Sequence, residues 1–73
     1  MFKNNFIPNF VDANLSNLRN TRVHKFKLSL DIFSAMTGIP KGWIIRYEAG
    51  RSIPGKERYN KLAKFCGWKL WEA

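Results

Sequence analysis

Apolar residues recur at intervals of three and four along most of this chain, and glycine or proline stands where the pattern breaks. The clearest stretch is 28–50, LSLDIFSAMTGIPKGWIIRYEAG. Leu28, Ile32, Phe33 and Met36 keep helical spacing and predict one buried face. Ser29 can cap that helix through its hydroxyl, and Asp31 in the first turn suits the positive end of the helix dipole. Gly38 follows, where a helix commonly ends in a left-handed residue that a side chain with Cβ resists. Proline is tolerated at the start of a helix because its missing N–H has no intrahelical partner there, so Ile39-Pro40 opens a second helix at about Lys41. Ile44 and Tyr47 continue the inward face, which leaves Lys41, Gly42, Trp43, Ile45 and Arg46 pointing outward. Gly50 ends this helix, and small Ser34 lets the two helices approach closely. Two short helices meeting at a glycine read DNA more often than they do anything else.

The flanking segments are simpler. Residues 1–11 form an apolar extension in which Phe2, Phe6, Ile7 and Phe10 alternate irregularly with Asn4, Asn5, Pro8 and Asn9. It either packs over the core or completes a dimer interface. Asp12 offers a cap for a first helix, whose inward face is Val11, Leu15, Leu18, Arg22 and Phe26. After Gly50, Arg51 to Gly55 reads as a loop and Lys56 to Cys66 as a helix with Tyr59, Leu62, Ala63 and Cys66 inward. Gly67 closes it.

Read together, these residues resemble the Cro/repressor (XRE-type, lambda repressor-like) helix-turn-helix family, with its pattern L-S-Q-E-E-L-A-x-x-T-G-V-S-x-x-x-I-S-R-Y-E-x-G…P…LAxxLG. Leu28, Ser29, Phe33, Ser34, Thr37, Gly38, Ile39, Ile44, Arg46, Tyr47, Glu48, Gly50, Pro54, Leu62, Ala63 and Gly67 fall in register. The resemblance implies an all-α, five-helix domain over 12–73, with the helix-turn-helix at 29–49 and a fifth helix starting at Trp68. It also implies an ion pair between Arg19 in the first helix and Glu48. One departure concerns length: about four more residues than usual separate Leu18-Arg19 from Leu28, close to one helical turn. Either the first helix is longer, ending near Lys25 or Phe26, or the loop after it is wider. A second departure is Leu30, where the family usually carries a phosphate-bracing glutamine.

Charge points the same way. Thirteen Lys and Arg against five Asp and Glu give a formal net charge of +8 and a pI near 10.2, which favours a polyanionic partner. The apolar runs are too short for a signal core or a membrane span, so a cytoplasmic chain with no membrane partner is expected. Asp12, Asp31, Glu48, Glu57 and Glu72 make no acid and base motif, and no phosphate-binding glycine loop occurs. Cys66 is alone and sits where the family places a core leucine, while His24 reads as a solvated surface residue. No catalytic residue, metal site or cofactor is expected.

The outward face of the second helix of the pair carries the expected recognition chemistry. Lys41 can reach guanine or a phosphate, Gly42 removes bulk, and Arg46 can bind guanine in bidentate fashion. Trp43 and Ile45 are either apolar groove contacts or packed against the first helix or the extension. Lys27, Ser29, Arg51, Ser52 and Lys56 are the expected phosphate contacts. Phe65, Trp68 and Trp71 are the first choice for a dimer or partner surface, with Trp71 alternatively a shield over the core. The expectation is a small phage-type or mobile-element repressor, acting as a homodimer on a pseudo-palindromic operator in double-stranded DNA. The alternative is an antitoxin-type or adaptor module that binds a protein partner through its excess aromatic surface and regulates itself through DNA.

Overall fold

The computed structural model describes residues 7–72, and among these every regular element is helical. Helix α1 (Asn9–Ser16) begins after Pro8 and leads through Asn17 into the short α2 (Leu18–Asn20). The hydrogen-bond ladder continues across the junction, the Thr21 amide donating to the Asn17 carbonyl at 2.8 Å. A π-helical turn, Thr21–Lys25, ends the rod. Helix α3 (Leu30–Thr37), α4 (Lys41–Glu48) and α5 (Lys56–Cys66) follow. Asp12 therefore lies in the first turn of α1 and is not its cap, because the helix starts at Asn9 with Pro8 in the cap position. The helical rod, through α2 and the π-helical turn, runs to Lys25 before Phe26 closes it.

The core gathers Val11, Leu15, Leu18, Phe33, Ile39, Ile44, Tyr47, Tyr59, Leu62, Ala63 and Cys66. Ile7 and Phe10 pack against it, but α1 already begins at Asn9, so 9–11 of the expected extension are helical; Phe2 and Phe6 lie outside the described residues. Burial pushes the Cys66 thiol up to about 11, so it behaves as a small apolar side chain. His24 is exposed.

Two expectations need correction. Ile32 and Met36 do not enter the core but are 50% and 57% exposed. Helix α3 is turned so that Phe33 and Thr37 are buried and Leu30 and Ser34 half-buried. Its two polar members are satisfied inside, Ser34 donating to the Ile39 carbonyl and Thr37 to that of Phe33.

The expected fifth helix is absent, and 68–72 crosses α5 as an irregular segment. Its backbone groups find side chains instead of a helical ladder. Asn60 bonds both the amide and the carbonyl of Trp71, at 2.7 and 3.0 Å, and the Tyr59 hydroxyl donates to the Lys69 carbonyl at 3.0 Å. Trp68 stacks on Tyr59 at 5.9 Å and Trp71 meets the same ring edge-on at 6.0 Å. Trp71, Trp68 and Leu70 thus pack against the core without helical backbone.

Candidate nucleic-acid interface

Helix α4 is presented by α3 through a tight turn. Ser29 caps α3 by accepting the Ile32 amide, and Gly38 closes it at φ 76°, a left-handed conformation in which a side chain with Cβ is strained. Pro40 then precedes the first residue of α4, and Gly50, at φ 74°, follows its last turn. Ile44 and Tyr47 fix the helix on the core. Lys41, Gly42, Trp43, Ile45 and Arg46 all face outward, as their spacing predicts.

The C-terminal end of α4 is anchored by a buried ion pair, but Arg19 does not make it. Arg19 is exposed, and the partner of Glu48 is Arg22. Nε and Nη2 of Arg22 donate to the two carboxylate oxygens at 2.7 and 3.1 Å, while Nη1 donates to the Leu28 carbonyl at 2.9 Å. Both side chains are less than a tenth exposed. The physical reason is helical phase: Arg22 lies on the face of Val11, Leu15 and Leu18, whereas Arg19 falls off that face and is exposed.

The rod that carries Arg22 ends in the π-helical turn Thr21–Lys25. The turn is visible in the Phe26 amide donating to the Thr21 carbonyl, five residues back, at 3.0 Å. Lys27 then reverses the chain at φ 55°, a conformation uncommon for a residue with a side chain. Phe26 folds inward onto Phe65, with ring centroids 5.0 Å apart.

The outward residues of α4 are not independent of one another. The Arg46 guanidinium lies over the Trp43 ring at 5.1 Å, and a second guanidinium, that of Arg58 from α5, lies over the same ring at 5.4 Å. Arg58 also donates to the Tyr47 hydroxyl at 3.2 Å. Among the described residues, the ring and cation contacts of Trp43 come from α4 and α5, not from the first helix or the extension. Lys41 pairs with Asp31 at 2.8 Å, an exposed contact that a stronger anion can displace at little cost. A Cβ on Gly42 would meet nothing within 4 Å, so internal packing does not demand a glycine there.

Among the expected phosphate contacts, Lys27, Ser29, Arg51 and Lys56 are exposed and Ser52 is half-buried. Lys56 lies over the Trp71 ring at 5.7 Å, which ties it to the C-terminal segment. Phe65, Trp68 and Trp71, expected at a dimer or partner surface, are half-buried by contacts within the chain, Phe65 against Phe26 and Phe33. Among the described residues no group of three or more His, Cys, Asp or Glu could hold a metal ion. No described helix is long and apolar enough to cross a membrane.

Two functional candidates escaped the sequence reading. Arg22 left a signal, since a lone arginine on an apolar helix face requires a buried acid. Arg58 left none, because its partner Trp43 lies on a different helix. No family model, no curated protein and no solved structure matches the chain.

Proposed function

We propose that this chain is a sequence-specific duplex-DNA-binding protein of the lambda repressor-like helix-turn-helix type, with α3 and α4 as the motif and α4 entering the major groove. The observation that carries the reading is the outward face of α4. Five positions, Lys41, Gly42, Trp43, Ile45 and Arg46, are exposed on a helix that is itself fixed from behind by Ile44, Tyr47 and the Arg22 and Glu48 pair. A helix so held can present base-reading groups without ordering itself at the moment of binding.

Arg46 then reads a base pair, Lys41 a base or phosphate, and Gly42 and Ile45 line the approach. Lys27, Ser29, Arg51, Ser52 and Lys56 hold the flanking backbone. The net charge of +8 supplies the long-range attraction. The principal extents of the protein are 32 × 24 × 20 Å. As a symmetric homodimer it would read half-sites about 34–36 Å apart, the spacing of a symmetric operator. In this reading the protein is a small cytoplasmic repressor acting by operator occupancy.

A second reading, an antitoxin-type or adaptor module, is favoured by Ile32 and Met36, exposed one turn apart on α3. Selection of duplexes from a random pool at a stated salt concentration separates the two. The repressor reading expects one enriched, roughly palindromic site; a pool without enrichment overturns it. A toxin-like reading frame beside the gene would favour the second.

A further inference from the structure

Trp43 is the most unusual residue on the outward face, a large ring 40% exposed on a helix surface. Its neighbours explain why it is there. Two guanidiniums, from Arg46 on the same helix and Arg58 on α5, lie over the one indole at 5.1 and 5.4 Å. The Tyr47 hydroxyl holds Arg58 from behind, and the Tyr47 ring, itself buried, lies 6.0 Å from that of Trp43. Glu48 is paired with Arg22 and Asp31 with Lys41, so neither of these two carboxylates neutralises the cations on the Trp43 ring. Like charges gathered on one ring repel each other, and an anion arriving between or beside them relieves that repulsion.

We infer that Trp43 is a positioning residue that presents Arg46 to the base edge, and that Arg58 is a further DNA contact, holding the phosphate next to the base pair that Arg46 reads. The inference rests on the duplex-DNA reading above. A guanidinium laid on an aromatic face keeps its planar edge of N–H donors available, and that edge is what bidentate recognition of guanine or phosphate uses. The ring also restricts the rotamers of a long side chain before DNA arrives, which lowers the entropy lost on binding. Arg58 thus joins α5 to an interface otherwise built from α3, α4 and the loops beside them.

The test uses the full chain, a duplex selected from a random pool and a scrambled duplex of the same composition, with Kd measured over a salt series. Arg46→Ala is expected to reduce the preference for the selected duplex roughly 5- to 150-fold. Trp43→Ala reproduces much of that loss, Trp43→Phe retains most of the preference, and the Trp43→Ala/Arg46→Ala double variant is no worse than Arg46→Ala alone, because the ring acts through the arginine. Arg58→Ala weakens both duplexes by the same factor and lowers the salt slope by about one. Without DNA, the Trp43 indole N–H resonance moves in Arg46→Ala and Arg58→Ala. Additive losses in the double variant would mean that Trp43 touches DNA itself, and an unchanged salt slope in Arg58→Ala would remove Arg58 from the interface. Either result overturns the inference and leaves the duplex reading intact. A wild-type chain that binds both duplexes alike removes the reading, and the inference with it.

Discussion

Glu48→Ala leaves the Arg22 guanidinium buried beside a void, with its counter-charge and two charge-assisted hydrogen bonds of 2.7 and 3.1 Å removed. Water cannot readily replace them, because both side chains are less than a tenth exposed. Breaking a buried pair by deleting one partner costs about 3–5 kcal/mol. A chain of this length has a total stability on the order of 4–11 kcal/mol, so the variant loses a large part of it and at the lower end has little folded population left. The expected fall in Tm is at least about 12 °C, at roughly 4–8 °C per kcal/mol for a domain of this size. Urea unfolding followed by far-ultraviolet circular dichroism measures the loss directly. Two companions sharpen the experiment. Arg19→Ala, on the exposed side of the same rod, is expected to change stability by no more than about 0.5 kcal/mol. Arg22→Met/Glu48→Leu removes both charges at once and is expected to recover most of what the single variant loses, since desolvation offsets much of the attraction in the native pair. The reasoning fails if Arg19→Ala is as damaging as Glu48→Ala, or if Glu48→Ala costs less than about 1 kcal/mol.

Lys27→Gly removes the strain of a left-handed residue at φ 55° and is expected to raise stability by about 1 kcal/mol in the same urea assay; a loss would show that the lysine side chain matters to the fold. Gly42→Ala fills open space on an exposed helical surface, so it is expected to stabilise α4 by about 0.5–1 kcal/mol. Its affinity for the selected duplex should fall, as a gel-shift titration would show, if α4 approaches the bases closely. Burial raises the Cys66 thiol from 9.0 to about 11, so the unfolded chain ionises first and native stability declines as pH rises from about 9 to about 11. Urea midpoints at pH 7 and pH 10 check this, and Cys66→Ala should flatten the decline, leaving the contribution of Tyr59, whose hydroxyl is also raised by burial. Asn60→Ala removes both bonds to the Trp71 backbone and is expected to cost about 1–2 kcal/mol and to expose tryptophan fluorescence to a soluble quencher.

Backbone punctuation was the most legible part of the sequence. Gly38, Gly50 and Gly67 all take positive φ where helices end, and α5 has the bounds that its spacing predicts. The reason is local: a left-handed residue or a proline constrains the chain whatever the tertiary context. Helical phase was less legible. In α3 the apolar residues Leu30, Ile32, Phe33 and Met36 surround much of the circumference, and eight residues are too few for periodicity to choose among faces. The inward position of Tyr47 and Ile44 was clear because their neighbours Lys41 and Arg46 are charged. The C-terminal segment misled for a different reason. Its apolar residues do reach the core, but Asn60 and Tyr59 satisfy its backbone from the side, and no pattern within 68–73 encodes that. At the interface, the exposed positions of α4 were readable one helix at a time, whereas the Trp43 and Arg58 contact requires two helices to be placed first.

Arg22 explains why the irregular features of the chain cluster between α2 and α3. Its guanidinium bonds the Glu48 carboxylate at the end of α4 and the Leu28 carbonyl before α3, and it sits within the π-helical turn itself. One side chain thus ties together the rod, the entry to α3 and the exit of α4. The Leu28 amide returns to the Arg22 carbonyl at 3.0 Å, which closes the loop around Lys27. A π-helical turn, a left-handed lysine and a buried ion pair are each unfavourable or at best neutral for stability. All three lie on the path that sets how α3 and α4 stand relative to the rod, while the core beneath them is ordinary apolar packing. An arrangement that spends stability at one junction to fix the angle of one exposed helix is the arrangement expected where that helix must meet a rigid partner. It follows that Arg22→Met/Glu48→Leu, even with its stability restored, should bind the selected duplex less tightly than the wild type. Unchanged affinity in that variant would mean that apolar packing alone orients α4.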